Sequence, residues 1–260
     1  MLPELGSVGP FTFYSFGLMA ALAIVVAAIF LATDLRQRGL EPSFSIEVAL
    51  AAGIGGFLGA RVYYVVEHWG ERGESLLTGS GLVWYGGVAG GFIAVILVAL
   101  WRKVPLGLLA NMVAAPLAIG YAIGRIGCQL AGDGDYGDAT SLPWGMAYPE
   151  GTVPTTEIVH PTPVYETLAA LVIFWILWRM RGRLTAPWSL FGLYLVLMGI
   201  ERLAVEFVRA TPVVFIGLTT AQVISIVLVA IGAAVLAYTW NRREPAWAGT
   251  AAGTAAGTGG

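Results

Sequence analysis

The chain is poor in charged residues and in cysteine. Only 12% of its 260 residues are Asp, Glu, Lys or Arg, about half the share that is usual in a soluble domain. The lone cysteine, Cys128, excludes an internal disulfide. Residues 1–10 contain no Lys or Arg, so they lack the basic segment that opens a cleavable signal peptide. The first apolar segment is therefore expected to stay in the mature protein.

Apolar sequence is abundant instead. Hydrophobic residues make up 57% of the chain, and the mean hydropathy is +0.77. Seven apolar runs reach the roughly 20 residues that a helix needs to cross a bilayer. They cover residues 13–33, 44–66, 81–101, 108–130, 164–180, 188–208 and 219–240. The sequence predicts an all-α membrane protein with seven transmembrane helices.

Basic residues predict the orientation of these spans. Nine of the fourteen Lys and Arg residues follow the first, third, fifth and seventh runs. They are Arg36, Arg38, Arg102, Lys103, Arg179, Arg181, Arg183, Arg242 and Arg243. The opposite connections are mainly acidic, with Glu67, Glu71, Glu74, Asp133, Asp135 and Asp138 against Arg72 and Arg209. Because basic loops stay in the cytoplasm, the N-terminus is predicted outside and the C-terminus inside.

The chain divides into four predicted parts. Residues 1–130 hold spans one to four, and residues 164–243 hold spans five to seven. Residues 131–163 between them are too long for a simple turn, and Trp144 and Tyr148 suit an ordered extracytoplasmic head at the membrane surface. Residues 244–260 repeat Ala-Ala-Gly-Thr and are predicted to be a disordered cytoplasmic tail.

Three arginines lie inside the apolar runs: Arg61, Arg125 and Arg202. A charged side chain in hydrocarbon costs at least ~2.5 kcal/mol, so each is expected to face a polar interior. Their positions along the spans place all three in the outer leaflet, and Tyr14 and Tyr85 come to the same level. The sequence thus predicts a cationic layer inside the protein.

The chemistry of arginine suggests what this layer binds. Arg202, Glu206 and Arg209 follow at helical spacing and share one face. A guanidinium binds phosphate with two parallel hydrogen bonds, so an anionic phospholipid headgroup is the natural ligand. The alternative is that each arginine pairs with a carboxylate, such as Glu166, Glu201 or Glu206, and only ties helices together.

Several motifs resemble those of the prolipoprotein diacylglyceryl transferase family. The strongest is Gly124-Arg125-Ile126-Gly127-Cys128, followed by Gly132-Asp133-Gly134-Asp135-Tyr136-Gly137. Others occur in the family's order: Tyr14-Ser15-Phe16-Gly17-Leu18, Gly59-Ala60-Arg61-Val62-Tyr63, Trp84-Tyr85-Gly86-Gly87, His160-Pro161-Thr162-Pro163-Val164-Tyr165-Glu166 and Glu201-Arg202 through Glu206 to Arg209. Together they extend over spans one to six.

The resemblance implies transfer of a diacylglyceryl group from phosphatidylglycerol to the lipobox cysteine thiol of a prolipoprotein signal peptide. A thioether forms and glycerol phosphate is released, without a cofactor, a metal or a nucleic acid. The enzyme would lie in the bacterial cytoplasmic (inner) membrane, with its active site toward the outer leaflet.

The resemblance also suggests roles for individual residues. The catalytic candidates are Arg125, Arg202, Tyr85 and Tyr14. The candidates for binding phosphatidylglycerol are Arg125, Arg202, Arg61, Arg209, Glu206, Cys128 and Gly137. The candidates for acid–base chemistry or for positioning the head are His160, Glu166, Asp133 and Asp135.

The chain departs from the family pattern at three places. Tyr85 stands where the family has a histidine, Cys128 replaces an asparagine, and Asp133 or Asp135 replaces a glutamate. A phenol is a poor base at neutral pH. Tyr85 is therefore predicted to position the substrate, while the cationic field activates the thiol with help from His160; the alternative for His160 is an ordinary loop histidine.

Other interpretations remain open. A non-catalytic carrier of lipid or anionic solute would use the same arginines, and a transferase of the same fold would serve a different acceptor. Gly-x-Gly-Asp at residues 132–135 also matches intramembrane aspartyl proteases, but Asp34 at the cytoplasmic end is a poor second aspartate. Cys128 is either a nucleophile or a small buried hydrophobe. The Gly-x-x-x-Gly spacings at Gly55, Gly86 and Gly87 predict helix-packing faces.

Overall fold

A computed structural model describes residues 1–9, 11–69, 83–209, 211, 213–215, 217–240 and 242. These residues form seven helices, one for each predicted apolar run. They are α1 (Ser15–Gln37), α2 (Phe44–Glu67), α3 (Trp84–Trp101), α4 (Leu106–Ala131), α5 (Thr162–Met180), α6 (Ser189–Glu206) and α7 (Thr220–Thr239). The predicted tail at residues 244–260 and the loop charges Glu71, Arg72, Glu74 and Arg243 lie outside the described residues.

Five helices, α1, α2, α4, α5 and α7, are long and apolar enough to cross a membrane. The apolar part of α3, Tyr85–Trp101, is shorter. The sequence of α6 carries Glu201, Arg202 and Glu206 within its 18 residues. Apolar helices of this length indicate a multi-pass membrane protein.

Three short antiparallel hairpins were not predicted. They pair β1 (Glu4–Val8) with β2 (Phe11–Tyr14), β3 (Met146–Tyr148) with β4 (Thr155–Val159), and β5 (Val213–Phe215) with β6 (Leu218–Thr219). Gly9 and Gly217 lie beside the first and third turns with positive φ angles of 61° and 78°, which glycine adopts without steric cost. Their strands have only two to five residues, so the hydropathy of long segments does not reveal them.

The chain splits into two compact units. In the second, Ala28–Leu109, helices α2 and α3 pack through glycines. A Cβ added to Gly59 would overlap the backbone oxygen of Gly86, and one added to Gly90 would overlap that of Gly55. The predicted packing faces are confirmed there, since only glycine lets the two backbones approach so closely.

The first unit, Met1–Ala27 and Ala110–Gly260, contains the polar cluster described below. Its apolar core joins α4, α5 and α6 through Ala114, Ala118, Ile173, Leu177 and Leu190. The C-terminal ends of α4 and α6 and the N-terminal end of α5 lie beyond this core. Charged side chains collect at that end.

Residues 132–161 connect α4 to α5 and contain β3 and β4. Tyr148 is fully buried; its hydroxyl donates to Gln129 Oε1 at 2.9 Å, and its ring stacks on that of Tyr136 at 5.0 Å. Gly137 N donates to His160 O at 2.8 Å, which joins the start of this connection to its end. These contacts place residues 133–138 beside the first turn of α5.

Candidate functional site

Three arginines meet at the end of the α4–α5–α6 core. Arg125 lies in the last turns of α4, Arg202 lies in α6, and Arg209 follows three residues after α6. Each is largely buried and faces one or more of the carboxylates of Asp135, Glu166 and Glu206. We call these six residues the arginine cluster.

Glu166 is at the centre of the arginine cluster. Its side chain has 0% exposure, and Arg125 Nε lies 3.2 Å from Oε2. Nitrogens of Arg202 and Arg209 lie 3.8 and 3.9 Å from Oε1. The Tyr121 hydroxyl donates to Oε1 at 2.9 Å. A buried carboxylate is tolerated only when charges of opposite sign surround it, as they do here.

Asp135 bridges two of the arginines. One of its oxygens pairs with Arg125 and the other with Arg209. The Thr162 hydroxyl donates to the Asp135 backbone oxygen, which fixes this loop residue over α5. Burial raises the pKa of Asp135, but Arg125 and Arg209 outweigh it, so its pKa lies below the usual value. Asp135 is therefore held in the charged form.

Glu206 holds Arg202. Arg202 Nη2 lies 2.8 Å from Glu206 Oε2, so the two side chains form an ion pair. The other Glu206 oxygen accepts the hydroxyls of Thr211 at 2.5 Å and Thr219 at 2.7 Å. Arg202 Nη1 is buried and has no hydrogen-bond acceptor among the described residues. The arginine cluster thus contains a desolvated guanidinium nitrogen that is ion-paired with Glu166 at 3.8 Å but has no hydrogen bond to a described residue.

The ion pairs of the arginine cluster test two predictions, the shared face of Arg202, Glu206 and Arg209 and the pairing of arginines with carboxylates. The i, i+4 spacing of Arg202 and Glu206 predicted a shared face, and the ion pair confirms it. Arg209 joins the same cluster, although α6 has already ended at Glu206. The carboxylate pairs of the helix-tying alternative are present for Glu166 and Glu206. Glu201 forms no ion pair of this kind in the part of the chain that the structure describes.

Cys128 lies beside the cluster. Its thiol is buried, with Sγ 3.9 Å from an Arg125 nitrogen. Ligand atoms of Cys128, Asp133 and Asp135 lie within 4.8 Å of one another. Both Asp135 oxygens already face arginines, so these donors suit an ion-pair network better than a cation site. Burial raises the pKa of Asp133.

His160 and Gly137 lie in the α4–α5 connection, residues 132–161. His160 Nδ1 is 3.2 Å from the Tyr165 hydroxyl, which accepts a hydrogen bond from Trp144 Nε1 at 2.8 Å. These three side chains line a groove of about 470 Å³. Gly137 is packed so tightly against Val208 and His160 that a side chain would overlap the Val208 backbone oxygen. Its lack of a side chain is explained by this packing.

The remaining predicted residues lie elsewhere. Tyr14 ends β2, is exposed, and lines a groove of about 720 Å³ with Phe13 and Leu18. Arg61 and Tyr85 belong to the second compact unit. Arg61 is buried with its guanidinium 5.3 Å from the Tyr64 ring centre, and Tyr85 is 65% exposed in the first turn of α3. The cationic layer joining Arg61 to Arg125 and Arg202 stays a prediction.

Four residues that position the cluster were not among the predicted site residues. They are Tyr121, Thr162, Thr211 and Thr219. Tyr121 had a signal, since it precedes Arg125 by one helical turn, and the arginine lies 5.0 Å from its ring centre. Thr219 also had one, because Thr219 and Gln222 form a capping box that starts α7. Thr162 stands in the motif at residues 160–166, where it was given no role, and Thr211 is not marked by any local pattern.

Known proteins resemble this one over nearly the whole chain. A family model described as prolipoprotein diacylglyceryl transferase matches residues 3–238. Three relatives are each named phosphatidylglycerol–prolipoprotein diacylglyceryl transferase. The protein from Nostoc sp. is 30% identical over 94% of this chain and 91% of its own. Those from Clostridium tetani and Synechococcus elongatus are 32% and 31% identical, over 89% and 92% of this chain and 95% and 86% of their own.

Proposed function

The chain belongs to the prolipoprotein diacylglyceryl transferase family, and on that premise we propose that it transfers the diacylglyceryl group of phosphatidylglycerol to a prolipoprotein. The acceptor is the thiol of the lipobox cysteine. A carbon–sulfur bond forms at the glycerol carbon, the carbon–oxygen bond to phosphate breaks, and glycerol phosphate leaves. The observation that carries this proposal is Arg202 Nη1, which is buried in the arginine cluster and has no hydrogen-bond acceptor among the described residues.

The arginine cluster suits the leaving phosphate. Arg202 Nη1 is a buried donor that lacks an acceptor among the described residues, and a phosphate oxygen supplies one. Arg125 lies close by, since both arginines approach Glu166. Guanidinium groups fixed before the reaction stabilise charge that develops on the departing phosphate, and they do so most strongly away from water. We assign Arg125 and Arg202 this role, with Arg209 and Glu206 holding them in place.

We assign activation of the thiol to the guanidinium groups nearest to it rather than to a net charge, because three carboxylates match the three arginines. The thiolate is the nucleophile, and nearby positive charge raises the fraction of a thiol that is ionised. We assign Tyr14 and Tyr85 positioning roles and keep Arg61 as a phosphate-binding residue. His160 is assigned to the head rather than to the arginine cluster, because its ring contacts Tyr165. Cys128 is assigned to packing, because its thiol is buried.

We further propose the arrangement in the membrane. All seven helices cross the bacterial cytoplasmic membrane, with the N-terminus outside and the C-terminus inside. Residues 131–163 form an extracytoplasmic head, and the arginine cluster opens toward the outer leaflet. The basic residues after α1, α3 and α5 support this orientation.

The test is a transfer assay with the purified full-length protein. Phosphatidylglycerol and a lipobox peptide should yield a diacylglyceryl thioether on the peptide and one glycerol phosphate for each thioether. Neither a peptide with serine in place of the cysteine nor phosphatidylcholine as donor should give product. Movement of lipid without product would favour the carrier alternative. Product on a small thiol but not on the lipobox peptide would favour a different acceptor.

A further inference from the structure

Glu201 is a buried carboxyl that the ion-pair network leaves out. It lies on α6 directly before Arg202 and is 6% exposed. Both of its carboxyl oxygens are buried and lack a hydrogen-bond partner among the described residues. Asp135, Glu166 and Glu206 each have at least one arginine nitrogen within 4 Å. An ionised carboxyl that is buried without such a partner is costly.

The surroundings of Glu201 are the arginine cluster on one side and the apolar core on the other. Glu201 follows Tyr194 and Leu197 at helical spacing, and both pack on the α4–α5 core. Charged or titratable groups around it come from α4, α5, α6 and the turn after α6. They are Tyr121, Arg125, Glu166, Tyr194, Arg202 and Arg209. The helix packed on the other side of α6, Thr220–Thr239, contains no Asp, Glu, Lys, Arg or His.

The charge of the arginine cluster explains why a proton is needed there. Its three arginines are matched by the three carboxylates of Asp135, Glu166 and Glu206. Ionised Glu201 gives the region a net negative charge, and the phosphate of a bound lipid adds another. Two uncompensated negative charges in a poorly solvated site repel each other strongly. A proton on Glu201 removes one of them.

We propose that Glu201 is a proton-binding site coupled to the lipid site: it takes up a proton as an anionic phospholipid phosphate enters the arginine cluster. This inference rests on the proposed function, because it needs the lipid phosphate to bind there. The coupling is reciprocal, so the lipid raises the affinity of Glu201 for a proton, and the proton raises the affinity of the protein for the lipid.

The sign of the pH dependence follows. Lipid binding should be tightest at low pH, where Glu201 is already neutral. The affinity for the lipid should fall as pH rises, by up to about tenfold per pH unit, until Glu201 is ionised in both the lipid-free and the lipid-bound protein. Glu201→Gln is neutral at every pH and keeps the shape of the side chain. It should bind lipid as the wild type does at low pH, without the pH dependence.

The experiment is calorimetric titration of the full-length protein, in nanodiscs of phosphatidylcholine, with dioctanoyl phosphatidylglycerol. Titrations between about pH 6 and pH 9, each in two buffers of different ionisation enthalpy, measure the protons taken up per lipid. Dioctanoyl phosphatidylcholine is the control ligand. Glu157→Gln, the same change at an exposed position of β4, is the control variant.

We expect proton uptake in the wild type and in Glu157→Gln, uptake at a shifted pH in Glu201→Asp, and none in Glu201→Gln. Uptake that persists in Glu201→Gln would place the proton elsewhere and overturn the assignment. Lipid binding without uptake at any pH, in protein that still transfers diacylglyceryl, would overturn it while leaving the proposed function intact. A wild type that does not bind the lipid at all would contradict the function, and the proton site with it.

Discussion

Glu166 shows how three arginines are kept inside one small region. It is fully buried, and nitrogens of Arg125, Arg202 and Arg209 lie within 4 Å of it. A carboxylate of this kind holds the guanidinium groups in fixed positions before any ligand arrives. Helix tying and phosphate binding are therefore compatible, because the pairs position the arginines while no described residue accepts a hydrogen bond from Arg202 Nη1.

The first expectation concerns Arg202→Lys. Lysine keeps the charge but has a single nitrogen, so it cannot both pair with Glu206 and donate a hydrogen bond to the phosphate. Transfer should fall by about 100-fold, the loss usual for one preorganised donor. Arg183→Lys, at an exposed position after α5, is the matched control and should leave transfer unchanged. Full activity in Arg202→Lys would contradict the assignment of Arg202 Nη1 to the phosphate. The same comparison applies to Arg125→Lys.

The second expectation concerns Asp135→Asn and pH. The lowered pKa of Asp135 means that its ion pairs stabilise the fold above the ordinary pKa of a carboxyl, and that this stability is lost as pH falls through the folded-state pKa. At neutral pH the variant should lose about 2 kcal/mol of unfolding free energy, typical of hydrogen bonds to a charged group. Denaturant unfolding in detergent at several pH values measures the difference from wild type. A difference that grows as pH falls would be the wrong sign.

The third expectation concerns Tyr85→Phe. If Tyr85 positions the substrate, loss of its hydroxyl should lower the transfer rate by less than about tenfold and leave the pH profile unchanged. Removal of a general base would cost about 100-fold or more and flatten the basic limb. Rates measured between about pH 6 and pH 9 separate the two roles. A large loss together with a vanished limb would make Tyr85 the base.

At the scale of elements, glycine decides how α2 and α3 meet. Gly55, Gly59, Gly86 and Gly90 bring the two backbones together, and a Cβ on any of them would overlap an atom of the other helix. Gly56 also lies on α2, but a Cβ there would meet only the Gly87 backbone oxygen, at an ordinary van der Waals distance of 3.5 Å. Gly56 therefore has room for a side chain and the other four glycines do not, although none of the five has a positive φ angle.

This difference gives the fourth expectation. Gly56→Ala should be neutral or should stabilise the protein by up to about 1 kcal/mol, because alanine favours a helix. Gly59→Ala gains the same propensity but must push the helices apart, so it should lower the melting temperature in detergent. Equal melting temperatures for the two variants would show that close backbone contact does not hold α2 to α3.

A hydrogen bond between side chains joins the end of α6 to the start of α7. Thr219 caps α7 by accepting from Gln222 N, and its hydroxyl also donates to Glu206 at the end of α6. The start of one helix thereby orients the carboxylate that holds Arg202. The geometry of the arginine cluster depends on this turn as well as on the core.

At the scale of the whole molecule, the fifth expectation is the orientation in the membrane. The test uses cells with an unbroken cytoplasmic membrane, from which any outer membrane has been removed. On a Cys128→Ala background, Thr156→Cys in β4 should then react with a thiol reagent that does not cross the membrane. Gly182→Cys, in the exposed turn after α5, should react only after the cells are opened. The opposite pattern would reverse the orientation and place the arginine cluster toward the cytoplasm.

Much of the helical framework could be predicted from local sequence. Each of the seven apolar runs forms a helix, because hydropathy over about 20 residues is a local property that needs no knowledge of the partner. Arg125 and Arg202 could be selected in the same way, since an arginine in an apolar run is costly wherever the run packs. The three hairpins escaped because two to five residues carry too little periodicity.

The sequence by itself determined which segments are helical and which charges needed a polar partner. Only the tertiary structure decided what those partners are. Arg209 pairs with Asp135 across 74 residues, and Asp135 rather than Asp133 receives the arginines, because the α4–α5 connection folds back over α5. Glu206 pairs with Arg202 at the i, i+4 spacing that the sequence shows, whereas Glu201, on the same helix, has no ion pair among the described residues because of how α6 packs. The contacts of Asp135 and Glu201 depend on side-chain directions in three dimensions, and no spacing along the chain encodes them.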